Sequence, residues 1–325
     1  MKKISTLQLA FGEMGDPVLG SLIEDERFIV SAIVTPPENS GIYRKAERLP
    51  QEVCAESQGI EVFRTDSLAR LHAIVEDLNP DLVLIATYNK IIPEKTLKLS
   101  KFVNIHHGKL PRQRGRANIN WAIINGEPSV SVSVHEAIAE LDAGDILHQI
   151  HFDIEPEDDI ASMYDKINQA LTKELPDLLR DYVAGDLTLQ SQDHFRASYY
   201  CTRLPQDGMI NWDWSRRRIK DLVRALKHPY PGAFTYLNGE KVIVWEVEEP
   251  PETRIFEGIV PGRVVGIHKG QGVEVLAGDG PLLLTKVERK NVTHEPSQLI
   301  NSSKITLGLS MDDLLAKLVV LEAKL

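Results

Sequence analysis

The chain has 325 residues, 42% of them apolar and 26% charged, the makeup of a globular protein long enough for two domains. A formal net charge of −10 and a pI near 5.5 argue against a broad surface for nucleic-acid phosphates, although a local basic pocket stays open. The two cysteines, Cys54 and Cys201, form no CxxC or Cys/His metal spacing and suit a reducing cytoplasm, and no apolar run approaches the roughly 18 residues of a membrane span.

The opening MKKISTLQLAFGEMGD has a basic pair but only a short, broken apolar run, so it predicts a first core strand, STLQLAF (5–11), rather than a leader. A glycine-containing turn then enters a helix within 12–26, and the β-branched run FIVSAIVT (28–35) is the second strand. After a loop come a helix over 46–59, a short strand IEVFRT (60–65), and a helix SLARLHAIVEDLN (67–79) stopped by Asn79-Pro80. DLVLIAT (81–87), KFVNIHH (101–107) and VSVSVHEA (130–137) are further strands, and the turn in LDAGDILHQIHFDI (141–154) leads into another. Residues 158–185 form one long amphipathic helix with a kink expected at Pro176. Strands alternating with helices, the strands near-continuously apolar, imply a Rossmann-like α/β layer: a mostly parallel sheet with helices on both faces.

Near residue 200 the composition changes. FRASYYCTRLPQDGMINWDWS (195–215) is aromatic and irregular, with Trp212 and Trp214 expected as packing anchors, and RRIKDLVRALKHP (217–229) is a helix with a basic face. Short strands divided by Gly-rich turns (233–288) suggest a small antiparallel barrel. We therefore expect a catalytic domain over 1–200, a small OB-like domain over 201–290, and an extension over 291–325 ending in a helix. The partnerless terminal helix and exposed barrel strands suggest a homodimer.

Candidate chemistries narrow quickly. Glycines 12, 15 and 20 miss the G-x-G-x-x-G spacing, and strand 2 ends in Thr35-Pro36-Pro37 without an acid, so no nicotinamide cofactor is expected. His106 and His107 point to opposite faces of a strand, and His148 and His151 read better as solvated than as a metal pair, so no metal is expected. There is no G-x-S-x-G and no activated cysteine. Asn104 and His106 share a strand face, and the ELDAGD turn could bring Asp142 beside them. Spacing alone leaves this trio open between a reactive site and an ordinary strand end next to a turn.

VNIHHGKLPRQRGRANINWAIINGE (103–127), followed by HEAIAELDAGDILHQ (135–149), resembles the signature of the 10-formyltetrahydrofolate-dependent formyltransferases, and matching segments continue in order from about residue 4 to 290. The resemblance implies a formyl donor, 10-formyltetrahydrofolate, no metal, and Asn104, His106 and Asp142 as catalytic residues. It implies a pterin slot walled by Tyr88, Ile91, Ile92 and Pro93 on one side and Leu141 and Gly144 on the other. Arg112, Arg114 and Arg116 are candidates for acceptor phosphates, since Arg binds them bidentately. The sequence favours a nucleotide-linked amino sugar as acceptor: the 36–50 segment lacks the basic insertion typical of methionyl-tRNA formyltransferases, and the chain is acidic. Methionyl-tRNA is the alternative, and a silent folate-binding protein a third. Two departures from the family pattern, His107-Gly108 for Gly-Ser and Asn118 for proline, flank the expected acceptor cleft.

Overall fold

The computed structural model describes residues 2–12, 15–38, 40, 48–252, 254–309, 314–315 and 318–319. Most of the 36–50 loop, expected as a short substitute for a basic insertion, lies outside these residues.

The first half alternates as the apolar periodicity requires. Strand β1 (Ile4–Ala10) leads to α1 (Gly15–Ile23), β2 (Phe28–Thr35), α2 (Pro50–Ser57), β3 (Glu61–Arg64), α3 (Leu68–Leu78), β4 (Leu82–Thr87), α4 (Glu94–Leu97) and β5 (Lys101–His106). A two-residue strand β6 (Arg114–Gly115) and α5 (Asn118–Ile124) precede β7 (Ser129–Glu136), β8 (Ile146–Asp153), α6 (Ile160–Ala184) and the two-residue β9 (Tyr199–Tyr200). The main sheet has the order β3-β2-β1-β4-β5-β7-β8, parallel from β3 to β5, with β7 and β8 added antiparallel.

Both faces of the sheet are covered because side chains alternate along each strand. Ala32 and Val34 of β2 join Leu7, Leu9, Val83 and Ile85 under Leu71, Ile74 and Val75 of α3. Ile33, between them, packs on the opposite face with Leu19 of α1 and Ala55 of α2. Each such burial is worth about 1.5–3 kcal/mol. Helix α3 starts at Ser67, whose side chain accepts from Arg70 N (3.3 Å), and ends at Asn79 in the left-handed region (φ 41°). Helix α6 keeps one continuous span across Pro176.

The chain divides into two compact units, but not by one cut: residues 1–118, 129–153 and 164–201 form the first, and 119–128, 154–163 and 202–325 the second. The second contains α7 (Arg216–Ala225) and strands β10 (Ala233–Leu237), β11 (Glu240–Glu248), β12 (Val264–His268), β13 (Gly272–Ala277), β14 (Gly280–Arg289) and β15 (Val292–His294). They pair antiparallel in the order β10-β11-β14-β13-β12, with β15 on β14. Trp212 anchors this unit through Nε1–H donated to Thr235 Oγ1 (3.0 Å), and Trp214 lies beneath the Arg218 guanidinium.

The expected boundary at residue 290 does not hold. Strand β15 extends the sheet, and residues 305–308 bridge its open sides. Val264 N donates to Ile305 O (3.0 Å) and Leu307 N to Gly262 O (2.7 Å), while Gly308 N donates to Tyr236 O (2.9 Å). Gly262, at φ 82°, is required there, because a Cβ would sit 2.3 Å from Leu307 O. The expected terminal helix falls mainly outside the described residues. Of its positions, 314–315 and 318–319 are helical and their apolar side chains are exposed.

Candidate active site

Strand β5 places Asn104 and His106 on one face, and antiparallel β7 lies beside it with His135 opposite Asn104 and Ser133 opposite His106. The turn after β7 folds back and brings Asp142 (φ 49°) to the same place. Asp142 Oδ2 accepts from Gly115 N (2.9 Å) and lies 3.5 Å from His106 Nδ1. Its Oδ1 lies 3.5 Å from Asn104 Nδ2 and 3.8 Å from His135 Nε2. The trio expected from sequence is therefore brought together, with a second imidazole that the sequence reading missed.

The hydrogen-bond roles follow from which atoms can only accept. His135 Nδ1 is 2.7 Å from Glu136 O, so it carries the proton, and Nε2 is left to accept from Asn104 Nδ2 at 3.0 Å. Burial, with the His106 ring adding to it, pushes the His135 pKa down to about 4 despite Asp142. This ring is a neutral acceptor that aims the Asn104 amide. His106 Nε2 donates to Gln113 O (2.7 Å), which Asn118 Nδ2 also approaches. Its Nδ1 can donate to Asp142 only when the ring carries a second proton.

The packing around His106 leaves no slack. A Cβ on Gly108 would lie 2.5 Å from His106 Nε2 and 2.4 Å from Gln113 O. Ser133 Oγ–H donates to Gly108 O (2.5 Å) and Gln149 Nε2 to Leu110 O (3.0 Å), which fixes the loop that leaves β5. Gln192 Nε2 donates to Asp142 O (2.9 Å) and Gly144 O (2.7 Å), which fixes the Asp142 turn. His107 points away, edge-on to Tyr164 (6.1 Å). Its Nε2 is enclosed without a hydrogen-bond partner among the described residues, and burial, then His106, pushes its pKa down to about 3.

The other expected site residues separate. Tyr88 packs edge-on to Phe11 (4.8 Å), its hydroxyl is buried without a partner among the described residues, and burial, then Asp66, raises its pKa to about 12. Ile92 belongs to the α3-side core, whereas Ile91 and Leu141 are exposed, Pro93 is half-buried and Gly144 is buried. Arg114 corrects the expectation of a phosphate ligand. It is fully buried and its Nη2 donates to Gln192 Oε1 (2.8 Å) and His194 Nδ1 (3.0 Å), with Tyr199 Oη 3.4 Å from Nη1. Arg116 donates to Asn89 O, and Arg112 is exposed without a partner among the described residues. His148 leans on Glu174 (3.2 Å) and His151 on Ser131 (2.7 Å), so the two do not pair. Among the described residues no three His, Cys, Asp or Glu side chains gather as metal ligands, and no helix is long and apolar enough to cross a membrane.

An amide, two imidazoles and a carboxylate meet at the end of β5. The formyl transferase family profile matches residues 7–179, over all of these groups, and the profile of the formyl transferase C-terminal domain matches residues 204–304. The chain belongs to the formyl transferase family. It is a formyltransferase, with the Rossmann-like domain and small β domain expected from its sequence. A methionyl-tRNA formyltransferase of Geobacter metallireducens is 29% identical over 292 residues, 89% of this chain and 92% of that protein. HypX from Aquifex aeolicus, solved in complex with tetrahydrofolic acid, superposes with a TM-score of 0.63 at 18% identity, over 92% of this chain but only 47% of HypX. A sugar N-formyltransferase from a Shewanella species gives a TM-score of 0.57 at 22% identity, over 74% of this chain and 96% of that one. At these identities the structural likenesses are ones of fold.

Proposed function

We propose that this formyltransferase moves the formyl group of 10-formyltetrahydrofolate to the α-amino group of methionyl-tRNA, with Asn104, His106 and Asp142 at the reacting carbon. The observation that carries the chemistry is the convergence of Asn104, His106 and His135 on Asp142 within 3.5–3.8 Å. The acceptor nitrogen bonds to the formyl carbon, the carbonyl oxygen takes up negative charge, and the bond to the folate nitrogen then breaks. The proton lost by the amine ends on that leaving nitrogen.

Asn104 is the neutral donor for the developing oxyanion. One of its N–H groups is held by His135. The other, 3.5 Å from Asp142, makes the weaker bond and is the one to turn to substrate. Such a donor is worth about 3 kcal/mol in the transition state. In the neutral ring His106 Nε2 gives its proton to Gln113 O, so Nδ1, beside Asp142, carries the lone pair and is the nitrogen that can take a proton from the amine. Asp142 Oδ2 lies 3.5 Å from that nitrogen and orients the ring. The proposed pterin contacts are the segments Tyr88–Pro93 and Leu141–Gly144, in which Ile91 and Leu141 are exposed.

The acceptor follows the relatives, which are methionyl-tRNA formyltransferases over nearly their whole length. The acidic net charge speaks less strongly against tRNA once it is divided along the chain. Residues 202–325 hold 17 of the 37 Lys and Arg but only 16 of the 47 Asp and Glu, so the acidic excess lies in 1–201. An amino sugar is the second reading, favoured by the small, weakly charged 36–50 segment. Incubation with 10-formyltetrahydrofolate and either methionyl-tRNA or nucleotide-linked amino sugars, with the formamide product quantified, decides between them. Turnover of the sugars without turnover of methionyl-tRNA would overturn the acceptor proposed.

A further inference from the structure

Beside the catalytic groups lies a surface that formyl chemistry does not use. Residues 194–196 form one 3-10 turn, capped by Asp193, whose Oδ1 accepts from Phe195 N (3.2 Å). The turn leaves the Phe195 ring at 103% exposure and is followed by Tyr199 at 60%. The capped turn holds a large ring wholly in water, where a base can stack on its face.

The same stretch is laid against the catalytic loop. Parallel pairing sets Arg114 beside Tyr199 and Gly115 beside Tyr200, and Arg114 N to Ser198 O (2.9 Å) and Gln113 N to Ser198 Oγ (3.0 Å) continue it. Arg112 lies two residues before Arg114 on one of these paired segments, and Arg196 two residues before Ser198 on the other. Arg112 and Arg196 are both exposed, and neither guanidinium has a hydrogen-bond or ion-pair partner among the described residues. The nearby acids are engaged elsewhere: Asp193 caps the turn, and Glu140 approaches Arg114 at 3.5 Å. Two exposed guanidinia without partners among the described residues, on the two paired segments that also carry an exposed ring, suit a phosphate joined to a base. The link to the reaction is short, because Gly115 N, in the same paired strand, holds Asp142.

We propose that Phe195, Arg196 and Arg112 bind the single-stranded 3′ end of the acceptor RNA, its base stacked on Phe195 and its phosphates on the two arginines. This rests on the methionyl-tRNA reading above and adds a subsite to it. Stacking on an aromatic ring tolerates any base, which suits a surface that offers no further polar pattern.

The test uses the full chain with three variants, Phe195→Ala, Arg196→Glu and Arg112→Glu/Arg196→Glu. All three positions are exposed, so the fold should be kept. The expected result is a KM for methionyl-tRNA raised about tenfold by Phe195→Ala. The double reversal should raise it further and flatten its salt dependence by about one unit of logarithmic slope for each phosphate no longer held. The kcat and the KM for 10-formyltetrahydrofolate should stay within about twofold. A separate binding assay uses a labelled single-stranded RNA ending in adenosine, which should bind and lose about tenfold in affinity in each variant. Wild-type KM values in all three variants would overturn the subsite while leaving the acceptor reading intact. RNA binding that weakens in the variants, in a protein that does not formylate methionyl-tRNA, would uphold the subsite and sink that reading. Binding of uridine diphosphate but not of RNA would overturn the RNA assignment.

Discussion

Replacing His135 by Phe tests how the Asn104 amide is aimed. The ring volume is nearly kept at a position only 2% exposed, so what is lost is the acceptor at Nε2 and the donor at Nδ1. Asn104 Nδ2 then has only the 3.5 Å approach to Asp142, at the edge of hydrogen-bond range, and its amide can turn end for end. Losing one hydrogen bond of about 1–1.5 kcal/mol sets a floor of about tenfold on the fall in kcat. Losing the oxyanion donor altogether sets a ceiling of about 10²–10³. We expect kcat about 10- to 100-fold below wild type, with the KM for folate little changed. Because His135 acts through Asn104, the effects should not add: in Asn104→Ala/His135→Phe the second change should lower kcat by less than about threefold. Single-turnover formylation measures the chemical step, and thermal unfolding checks that the variants are folded. A His135→Phe enzyme with kcat within twofold of wild type, or full additivity with Asn104→Ala, would refute the reasoning.

Three further outcomes are expected. His135 and His107, with pKa values pushed down to about 4 and about 3, bind fewer protons folded than unfolded, where a histidine titrates near 6.5. Stability should therefore be full above about pH 6.5 and fall as the pH drops toward 4, by about 3 kcal/mol for each histidine. His107→Leu should flatten the curve, and denaturant unfolding at pH 7 and 4.5 that shows the same slope in variant and wild type would contradict this. Gly108→Ala should keep its fold but lose about 100-fold in kcat, since the new methyl must displace the His106 ring or the Gln113 carbonyl; normal activity would mean that the loop yields. Arg114→Leu should lower unfolding free energy by about 2–4 kcal/mol through two lost charge-assisted bonds, measured in urea. Unchanged stability with a raised acceptor KM would restore Arg114 as a phosphate ligand.

The parallel half of the fold was legible because its strands are apolar runs and its helices carry caps such as Ser67 and Asn79. A role for Asn104 and His106 came only from the resemblance, but that they share a face was legible from strand alternation. His135 was not, since its meaning depends on which strand lies next to β5. A local signal did exist: Ser131, Ser133 and His135 give three polar side chains on one face of a strand buried on both faces, and each makes a hydrogen bond there. The Gln113 carbonyl and the Gly115 amide are backbone groups and leave no trace in residue types. Arg114 looked like an exposed phosphate ligand because three arginines alternate over 112–116, and only the pairing of β6 with β9 buries it. Residues 292–308 seemed a tail because pairings two to four residues long have no period to detect.

The clamp on Asp142 comes late in the chain. Gln192, which holds the backbone of Asp142 and Gly144, and Tyr199–Tyr200, which pair with the strand carrying the Gly115 amide, all follow the 25-residue α6. A polypeptide emerging from the ribosome would have synthesised every reactive side chain by residue 142 and still lack the groups that hold them in register until about residue 200. Competence for group transfer would then switch on near the completion of the first unit, so nascent fragments ending before Gln192 should fold toward the sheet without becoming enzymes.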